Sequence, residues 1–247
     1  MVIISLYNLK GGVGKTASCV NFAYQAAKDG YKTLLWDLDP QGAASFYYKA
    51  QPNSKGSAKK IIEHSLSLEA AIMQTDYPNL DVIPADISAR KMDILLDDYN
   101  ASKKHLKSLL KGVANTYDFV FIDCPAGFSV LADNIFYASD VVLMPVVPTT
   151  LSIRTYDIVK EYFENKDTET DKLMCFFSMV DIRKKMHQDM MTQLSKDNRF
   201  FEYYIPYLSD IEKMGTRNAP IGAFAASSYA ATCYRALWNE IKEGVLE

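Results

Sequence analysis

The stretch YNLKGGVGKTAS, from Tyr7 to Ser18, decides the fold of this chain. Its end, Gly14 to Thr16, fits the phosphate-binding pattern G-x-x-x-x-G-K-[ST], in which a glycine-rich loop surrounds phosphate with backbone N–H groups. The first glycine of that pattern is replaced by Leu9, and an additional lysine, Lys10, follows at once. The stretch therefore predicts a phosphate site beside a second cation whose role the rest of the sequence has to explain.

Strands and helices alternate on both sides of this loop. The stretch VIISLYN precedes it as a buried strand, and a helix is expected from about Thr16 to Asp29. Further strands are expected in KTLLWDLD, LDVIPA, DFVFIDCPAG, DVVLMPVVP and LMCFFSMVD, with a helix near Ala101 to Ala114. Apolar strands separated by helices predict an α/β fold with a mostly parallel twisted sheet and helices on both faces. The phosphate pattern between the first strand and the first helix makes the expected fold that of a P-loop NTPase. Since no linker divides the chain, residues 1–247 are expected to form one domain.

Composition narrows the function classes. The chain has 247 residues, of which 49% are hydrophobic and 23% charged, as in ordinary globular domains. No apolar run reaches the ~20 residues that cross a bilayer, and no basic leader precedes the first strand, so neither a membrane span nor a signal peptide is expected. Four dispersed cysteines and three scattered histidines predict a reducing cytoplasm and no structural metal. Because the formal net charge is -3, a nucleic-acid surface would have to be a local patch.

The glycine loop and the helix after it predict an anion site. Successive backbone N–H groups of Gly11 to Thr16 would surround phosphate, with Lys15 on the β and γ phosphates and the Thr16 hydroxyl on Mg²⁺. A simple turn from strand to helix is the alternative for a lone glycine pair. The complete motif, with its strand and its helix, favours nucleotide binding.

Three aspartates follow predicted strands and are candidates for the same site. Asp123 ends an apolar strand, as expected of a carboxylate in a Mg²⁺ shell, and the CPAG after it supplies a hinge suited to sensing the γ-phosphate. A carboxylate that caps a turn is the alternative. Asp37 and Asp39 lie two residues apart on an extended segment and so face the same side. One of the pair would orient water and the other would support the site; two solvated turn residues are the alternative.

Four motifs carry a resemblance to a known family. KGGVGKT, DLDPQG, FIDCPAG and PTTLSIRT, in this order, resemble the deviant Walker A, switch I, Walker B with switch II, and following strand-to-helix segment of the ParA/MinD family of ATPases. The similarity covers nearly the whole chain, and IPYLSDIEKMGTRNAPIGAFAASSYAA resembles the C-terminal stretch of the ParA branch more loosely.

The resemblance implies a role for each motif residue. Lys10 takes the place of the signature lysine, Lys15 that of the phosphate lysine, and Asp39 that of the hydrolytic aspartate. The implied metal residues are Thr16, Asp39 and Asp123. The implied nucleotide contacts are Lys10, Gly11, Gly12, Val13, Gly14, Lys15, Thr16, Ala17, Met179, Pro206 and Tyr207.

The resemblance also answers the question of the second lysine. Family members use it in trans, so Lys10 would cross to the partner's phosphates when two protomers enclose two ATP molecules. Such a homodimer would separate as hydrolysis removes these contacts. A solvated surface lysine is the alternative reading.

ParA proteins bind nonspecific DNA as ATP dimers, which points here to Arg183, Lys184 and Lys185. An ordinary solvated face is the alternative for such a run. Where relatives commonly have I-P-R-x-x-R, this chain has Tyr207 and Asp210 in place of the arginines. Lys213 and Arg217 would compensate; otherwise DNA binding is weak or another surface is used.

The expected function is a cytoplasmic, nucleoid-associated, Mg²⁺-dependent ATPase that dimerises on ATP and segregates or positions a cargo. A cargo-bound adaptor would stimulate hydrolysis. Membrane attachment through a basic amphipathic helix is not expected, because YRALWNEIKEGVLE has no basic face. The iron protein of nitrogenase is excluded because Cys124 lacks a suitable companion. An ATP-dependent biosynthetic enzyme such as dethiobiotin synthetase and a ParA-like ATPase on a non-DNA scaffold are the alternatives.

Overall fold

A computed structural model describes residues 1–51, 58–98, 103–165 and 170–246 of the chain. In this part, one sheet contains the strands β1 Val2–Leu6, β2 Thr33–Asp37, β3 Met73–Gln74, β4 Leu80–Ile83, β5 Phe119–Asp123, β6 Val141–Val146 and β7 Leu173–Phe177. The strand order across the sheet is β3-β4-β2-β5-β1-β6-β7. All neighbouring strands are parallel except β3, which pairs antiparallel with β4. The predicted α/β fold with a mostly parallel sheet is thereby confirmed.

The helices connect the strands and cover the sheet. They are α1 Lys15–Lys28, α2 Ala43–Tyr47, α3 Ala58–Ile62, α4 Met92–Asp98, α5 His105–Leu110, α6 Val130–Ala138, α7 Thr150–Asn165, α8 Lys185–Leu194, α9 Ser209–Glu212, α10 Met214–Arg217, α11 Ile221–Phe224 and α12 Tyr229–Leu246. None of these described helices has the length and apolarity that a membrane crossing requires.

Two details differ from the sequence-based expectation. The helix predicted over 101–114 begins at His105 and ends at Leu110, continues as a 3-10 turn over Lys111–Val113, and its first two predicted residues lie outside the described part. The edge strand β3 was not predicted, because two residues are too few to show an alternating pattern.

The core lies on both faces of the sheet. Along β5, Val120 and Ile122 belong to one apolar cluster, whereas Phe119 and Phe121 belong to the other. This alternation follows from the two-residue period of a strand. Both sets of side chains are almost completely buried, so each β5 residue packs against helices on its own face.

The C-terminal helix α12 packs against α1 over the second of these clusters. Trp238 on α12 is 0% exposed, and its ring lies 5.3 Å from that of Phe119 and 5.8 Å from that of Phe121. Its indole N–H donates to Asp29 Oδ2 over 3.0 Å, and Asp29 also pairs with Lys242. Trp238 therefore joins α12 to the sheet and to the end of α1.

We expect Trp238→Ala to lower the free energy of unfolding by about 3–5 kcal/mol, because it removes a fully buried ring and leaves a cavity. Denaturant unfolding of the purified chain measures this change. Leu246→Ala is the matched control, since Leu246 lies on the same helix but is 52% exposed. If both variants unfold at the parental denaturant concentration, α12 does not depend on this anchor.

Candidate functional site

The loop between β1 and α1 has a backbone that requires glycine. Gly12 and Gly14 adopt positive φ angles of 72° and 90°, which side chains disfavour. A Cβ atom on Gly14 would also lie 2.8 Å from the Ser178 hydroxyl. Gly14 precedes α1, and neither a capping side chain nor an acidic residue occupies the first turn of that helix. The N-terminus of α1 thus presents its backbone N–H groups to an anion.

Asn8 and Lys15 hold this loop in place. The buried Asn8 amide donates to the Pro145 carbonyl over 2.8 Å, and its oxygen accepts from the Lys10 N–H over 2.9 Å. Lys15 is 6% exposed, and its ammonium donates to the Lys10 carbonyl over 3.1 Å. Lys15 is therefore positioned along its own loop, whereas Lys10 takes part in this bracing only through its backbone.

A cleft of about 800 Å³ opens beside the loop. The glycine loop lines one part of it, and residues between Ile205 and Glu212, next to Met179, line another. The remaining lining residues are Asp39, Gln41, Tyr47, Pro125, Ala126, Ser178 and Tyr234. Hydrogen bonds hold the segment that begins at Ile205 in place, because the Val180 N–H donates to the Ile205 carbonyl and the Tyr207 N–H donates to the Val180 carbonyl. Nine predicted nucleotide contacts line the cleft: Gly11, Gly12, Gly14, Lys15, Thr16, Ala17, Met179, Pro206 and Tyr207.

The other two predicted contacts do not line this cleft. Val13 is 3% exposed and belongs to the buried apolar residues. Lys10 is half-buried outside the cleft lining. The lining of the protomer's own cleft thus does not include Lys10, and its contact to nucleotide stays a prediction.

Asp123 lies at the end of β5 with an unusual lack of partners. It is 0% exposed, and no donor among the described residues hydrogen-bonds to either carboxylate oxygen. Burial raises the pKa of Asp123, and the neighbouring Asp37 raises it further, while Thr16 and Lys15 act in the opposite direction. A buried carboxylate without hydrogen bonds is costly, so this position favours a bound cation and its water ligands.

The donor set around Asp123 fits magnesium. Thr16 supplies a hydroxyl from the first turn of α1, and Asp39 supplies a second carboxylate on the cleft wall. The described residues contain no group of three or more His, Cys, Asp or Glu side chains that would hold a metal by themselves. This composition suits Mg²⁺, which keeps several waters and shares its shell with phosphate oxygens.

Asp37 and Asp39 have different environments, although they are two residues apart. Asp37 is buried, and its Oδ2 accepts from both the N–H and the hydroxyl of Ser45, over 2.8 and 2.6 Å. Asp39 is half-buried, lines the cleft, and accepts from the Gln41 N–H over 2.9 Å. Asp39 is thus the carboxylate that faces the cleft, while Asp37 fixes the start of α2.

Tyr7 is a residue of this site that sequence reasoning missed. Its phenol is 0% exposed and donates to the Gly127 carbonyl over 3.1 Å, in the loop that follows β5. Gly127 has a φ of 107°, and the adjacent Pro125 and Ala126 line the cleft. The hydrogen bond joins positions 120 residues apart, so only the sheet order brings the two together.

The basic residues predicted to contact DNA are exposed, but two of them have acidic partners. Arg183 forms a two-pronged ion pair with Asp181, over 2.9 and 3.0 Å, which holds the pKa of that carboxyl well below its usual range. Lys213 pairs with Asp210 over 2.7 Å. Lys184 and Lys185 lie at the start of α8 and Arg217 ends α10, without an ion pair to any described residue.

Comparison with known proteins identifies the family of this chain. Residues 1–174 match the family model AAA_31, described as an AAA domain. The chromosome-partitioning ATPase Soj of Treponema pallidum is 31% identical over 248 residues, which cover 95% of this chain and 94% of that one. This chain belongs to the ParA/MinD family of ATPases.

Solved structures of this family and its relatives share the fold. A plasmid partition protein of Borrelia burgdorferi bound to AMPPNP superposes with a TM-score of 0.87 at 21% identity, over 99% of both chains. A cobyrinic acid a,c-diamide synthase of Mycobacterium smegmatis, bound to an ATP analogue and magnesium, gives a TM-score of 0.82 at 23% identity, over 98% of this chain and 94% of that one. The fold of the ParA/MinD chain is thus shared by partition proteins and by a biosynthetic enzyme.

We expect Tyr7→Phe to release the loop at Gly127, because it removes one hydroxyl and keeps the ring that packs edge-on against Phe136. The free energy of unfolding should fall by about 0.5–1.5 kcal/mol, and amide exchange at residues 126–128 should accelerate. Mass-spectrometric hydrogen exchange measures the second effect.

Tyr117→Phe is the matched control, since its buried hydroxyl donates to Asp81 over 2.7 Å before β5 begins. That variant should lose similar stability without faster exchange at residues 126–128. Equal exchange at this loop in parent and Tyr7→Phe would show that the phenol does not hold it.

Proposed function

We propose that this chain is an ATP-dependent dimerising switch of the ParA type that segregates or positions a cargo. The cargo would be a plasmid, a chromosome origin or a large protein assembly, and a cargo-bound adaptor would stimulate hydrolysis. The proposal treats residues 1–247 as one cytoplasmic, nucleoid-associated domain. It rests above all on one observation: Asp123 is buried with no hydrogen-bond partner among the described residues, beside a cleft lined by Lys15, Thr16 and Asp39.

Each of these residues has a distinct part in the proposed reaction. The backbone N–H groups of the loop and the Lys15 ammonium would bind the β and γ phosphates. Thr16 and Asp123 would hold magnesium, which neutralises charge on the phosphates when bound. Asp39, on the cleft wall, would accept a proton from the attacking water or orient it toward the γ-phosphate.

The names of similar proteins support the cargo-positioning part of this proposal. The relative in Treponema pallidum is a chromosome-partitioning ATPase, and the neighbour in Borrelia burgdorferi is a plasmid partition protein. The similarity to a diamide synthase keeps one alternative in view, because the same fold carries an ATP-dependent biosynthetic reaction in that protein. The proposed switch requires a dimer that forms with ATP, so a test of ATP-dependent dimerisation separates the two functions.

Lys10 supports dimerisation by its position. Its N–H and carbonyl are bound inside the loop, yet its side chain does not line the cleft and has no ion pair with a described residue. A cation held by a rigid backbone at the edge of a phosphate site is well placed to reach a nucleotide on a second protomer. Two protomers related by twofold symmetry would exchange this contact.

We expect Lys10→Ala to bind ATP like the parent and to fail to dimerise, because the cleft and its cation Lys15 stay intact. Lys15→Ala should lose both properties, since it removes the cation from the protomer's own phosphates. Nucleotide titration and light scattering with ATP and Mg²⁺ measure the two properties separately. ATP-dependent dimers of Lys10→Ala at parental concentration would contradict the trans role and make Lys10 an ordinary surface lysine, whereas a parent that binds ATP without dimerising would favour the synthetase alternative.

We expect Asp39→Ala to hydrolyse ATP about 10²–10⁴ times more slowly than the parent, because it lacks the carboxylate that would activate water. Binding of ATP should persist, and ATP-bound dimers should accumulate. Steady-state phosphate release measures the rate. Asp76→Ala, a substitution of an exposed aspartate outside the cleft, controls for loss of charge; parental turnover by Asp39→Ala would make Asp39 an ordinary turn residue.

A further inference from the structure

Lysines concentrate along α5, away from the cleft. The segment KKHLKSLLK, residues 103–111, contains four lysines, and the 3-10 helix Thr170–Lys172 adds a fifth before β7. We call these five residues the α5 patch: Lys103, Lys104, Lys107, Lys111 and Lys172. The chain as a whole carries a formal net charge of -3, so this concentration of positive charge is local.

Helical spacing brings the lysines to one side of α5. Lys104, Lys107 and Lys111 follow one another at intervals of three and four residues, which is the spacing of neighbours on a helix surface. The leucines between them, Leu106 and Leu109, are buried at 0% and 8% exposure. The apolar side of α5 thus faces the core, and the lysines occupy the opposite side.

Contacts with neighbouring elements show how closely these charges lie together. The ammonium groups of Lys104 and Lys107 lie 5.9 and 5.6 Å from the ring centroid of Tyr137 on α6. Burial lowers the pKa of Lys172, and Lys107 lowers it further, while Asp140 partly offsets both effects. Cations from α5 and from the segment before β7 are therefore close enough to repel one another.

The patch differs in its balance of charge from the basic loop at 183–185. Arg183 in that loop is bound on both prongs by Asp181, and Lys213 nearby is bound by Asp210. Within the described residues, Lys103, Lys107 and Lys111 form no ion pair. Lys103, Lys107 and Lys111 are thus as available to an anionic partner as Lys184, Lys185 and Arg217, whereas aspartates balance Arg183 and Lys213.

The chemistry of the patch favours a phosphate backbone over a lipid surface. No exposed large apolar side chain lies on α5 or on the 3-10 helix before β7, so the patch has nothing to insert among lipid chains. Lysines grouped around an aromatic ring suit a polyanion whose charges are closely and regularly spaced. We propose that the α5 patch binds the phosphate backbone of duplex DNA without sequence preference.

This inference rests on the proposed function, to which it adds a second DNA-binding surface. Lys172 comes directly before β7, at the amino end of the strand, whereas the cleft lies at the carboxyl ends of β1 and β5. The patch therefore lies at the amino-end edge of the sheet, opposite the carboxyl-end edge where the cleft opens. Its loss should leave ATP binding and hydrolysis unchanged, and an ATP dimer would carry two such patches.

The test measures binding of the full chain, with ATP and Mg²⁺, to a random-sequence DNA duplex at several salt concentrations. The triple variant Lys103→Ala, Lys107→Ala, Lys111→Ala should bind at least tenfold more weakly than the parent at low salt. Since each phosphate contact contributes about 0.9 to the slope of log K against log salt, the slope should fall by about 2–3. Its ATPase rate should equal that of the parent.

Lys28→Ala, Lys32→Ala, Lys196→Ala removes the same charge from three exposed lysines outside the patch and is the matched control. The proposal is overturned if this control and the α5 variant give the same slope of log K against log salt. It is also overturned if only the triple variant Arg183→Ala, Lys184→Ala, Lys185→Ala lowers that slope. It is also overturned if the parent binds no duplex, or if the patch variant loses binding to phosphatidylserine vesicles and retains DNA. Light scattering with ATP measures dimerisation separately, so it distinguishes a failure of DNA binding at the α5 patch from a failure of the dimer switch.

Discussion

The structure depends on how two carboxylates are accommodated at the end of one sheet. Asp37 and Asp123 end the adjacent strands β2 and β5 and are direct cross-strand partners. Both are buried, so their charges would repel each other strongly in a medium of low polarity. Burial and mutual repulsion raise the pKa of Asp123, as the physics of two close like charges requires. Such an arrangement persists only where other groups satisfy the carboxylates.

The two carboxylates are satisfied in different ways, and the difference assigns their roles. Asp37 accepts two hydrogen bonds from Ser45 and one from the Asp39 N–H. Ser45 in turn accepts from the Ala85 N–H, so the first carboxylate is part of an internal network that fixes α2. Asp123 has no such network among the described residues, and only Thr16 and Lys15 act to lower its pKa. Under the proposed function, a cation beside Asp123 and phosphates in the adjacent cleft would satisfy this carboxylate.

Most of the fold and much of this site follow from the sequence for identifiable reasons. The apolar strands, the glycine loop and the aspartates at strand ends are local patterns, and parallel strands necessarily bring their carboxyl ends together. The partners that distinguish Asp37 from Asp123 could not be predicted, because Ser45 lies eight residues further along and its hydroxyl direction depends on the start of α2. The bond from Tyr7 to Gly127 depends on the sheet order and has no local signal. The ion pair of Arg183 with Asp181 could not be predicted either, since a run of basic residues in the sequence does not show which acidic side chains balance its charge.

Two segments beside the cleft, α2 and the loop at Gly127, are each tied to a strand by one side chain. These ties affect how the site would respond to nucleotide. Ser45 ties α2, which follows Asp39, to the end of β2, while Tyr7 at the end of β1 ties the loop at Gly127. Both ties lie beside the cleft lining without forming part of it. A ligand that moved the loop at Gly127 would break a single hydrogen bond, worth about 0.5–1.5 kcal/mol. Moving α2 would break both bonds from Ser45 to Asp37. Gly42 and Gly127, with φ angles of 65° and 107°, give each loop the conformational freedom that such a movement needs. The site thus combines a glycine loop braced by Asn8 with a loop held by one hydrogen bond at Gly127 and with a more firmly tied α2.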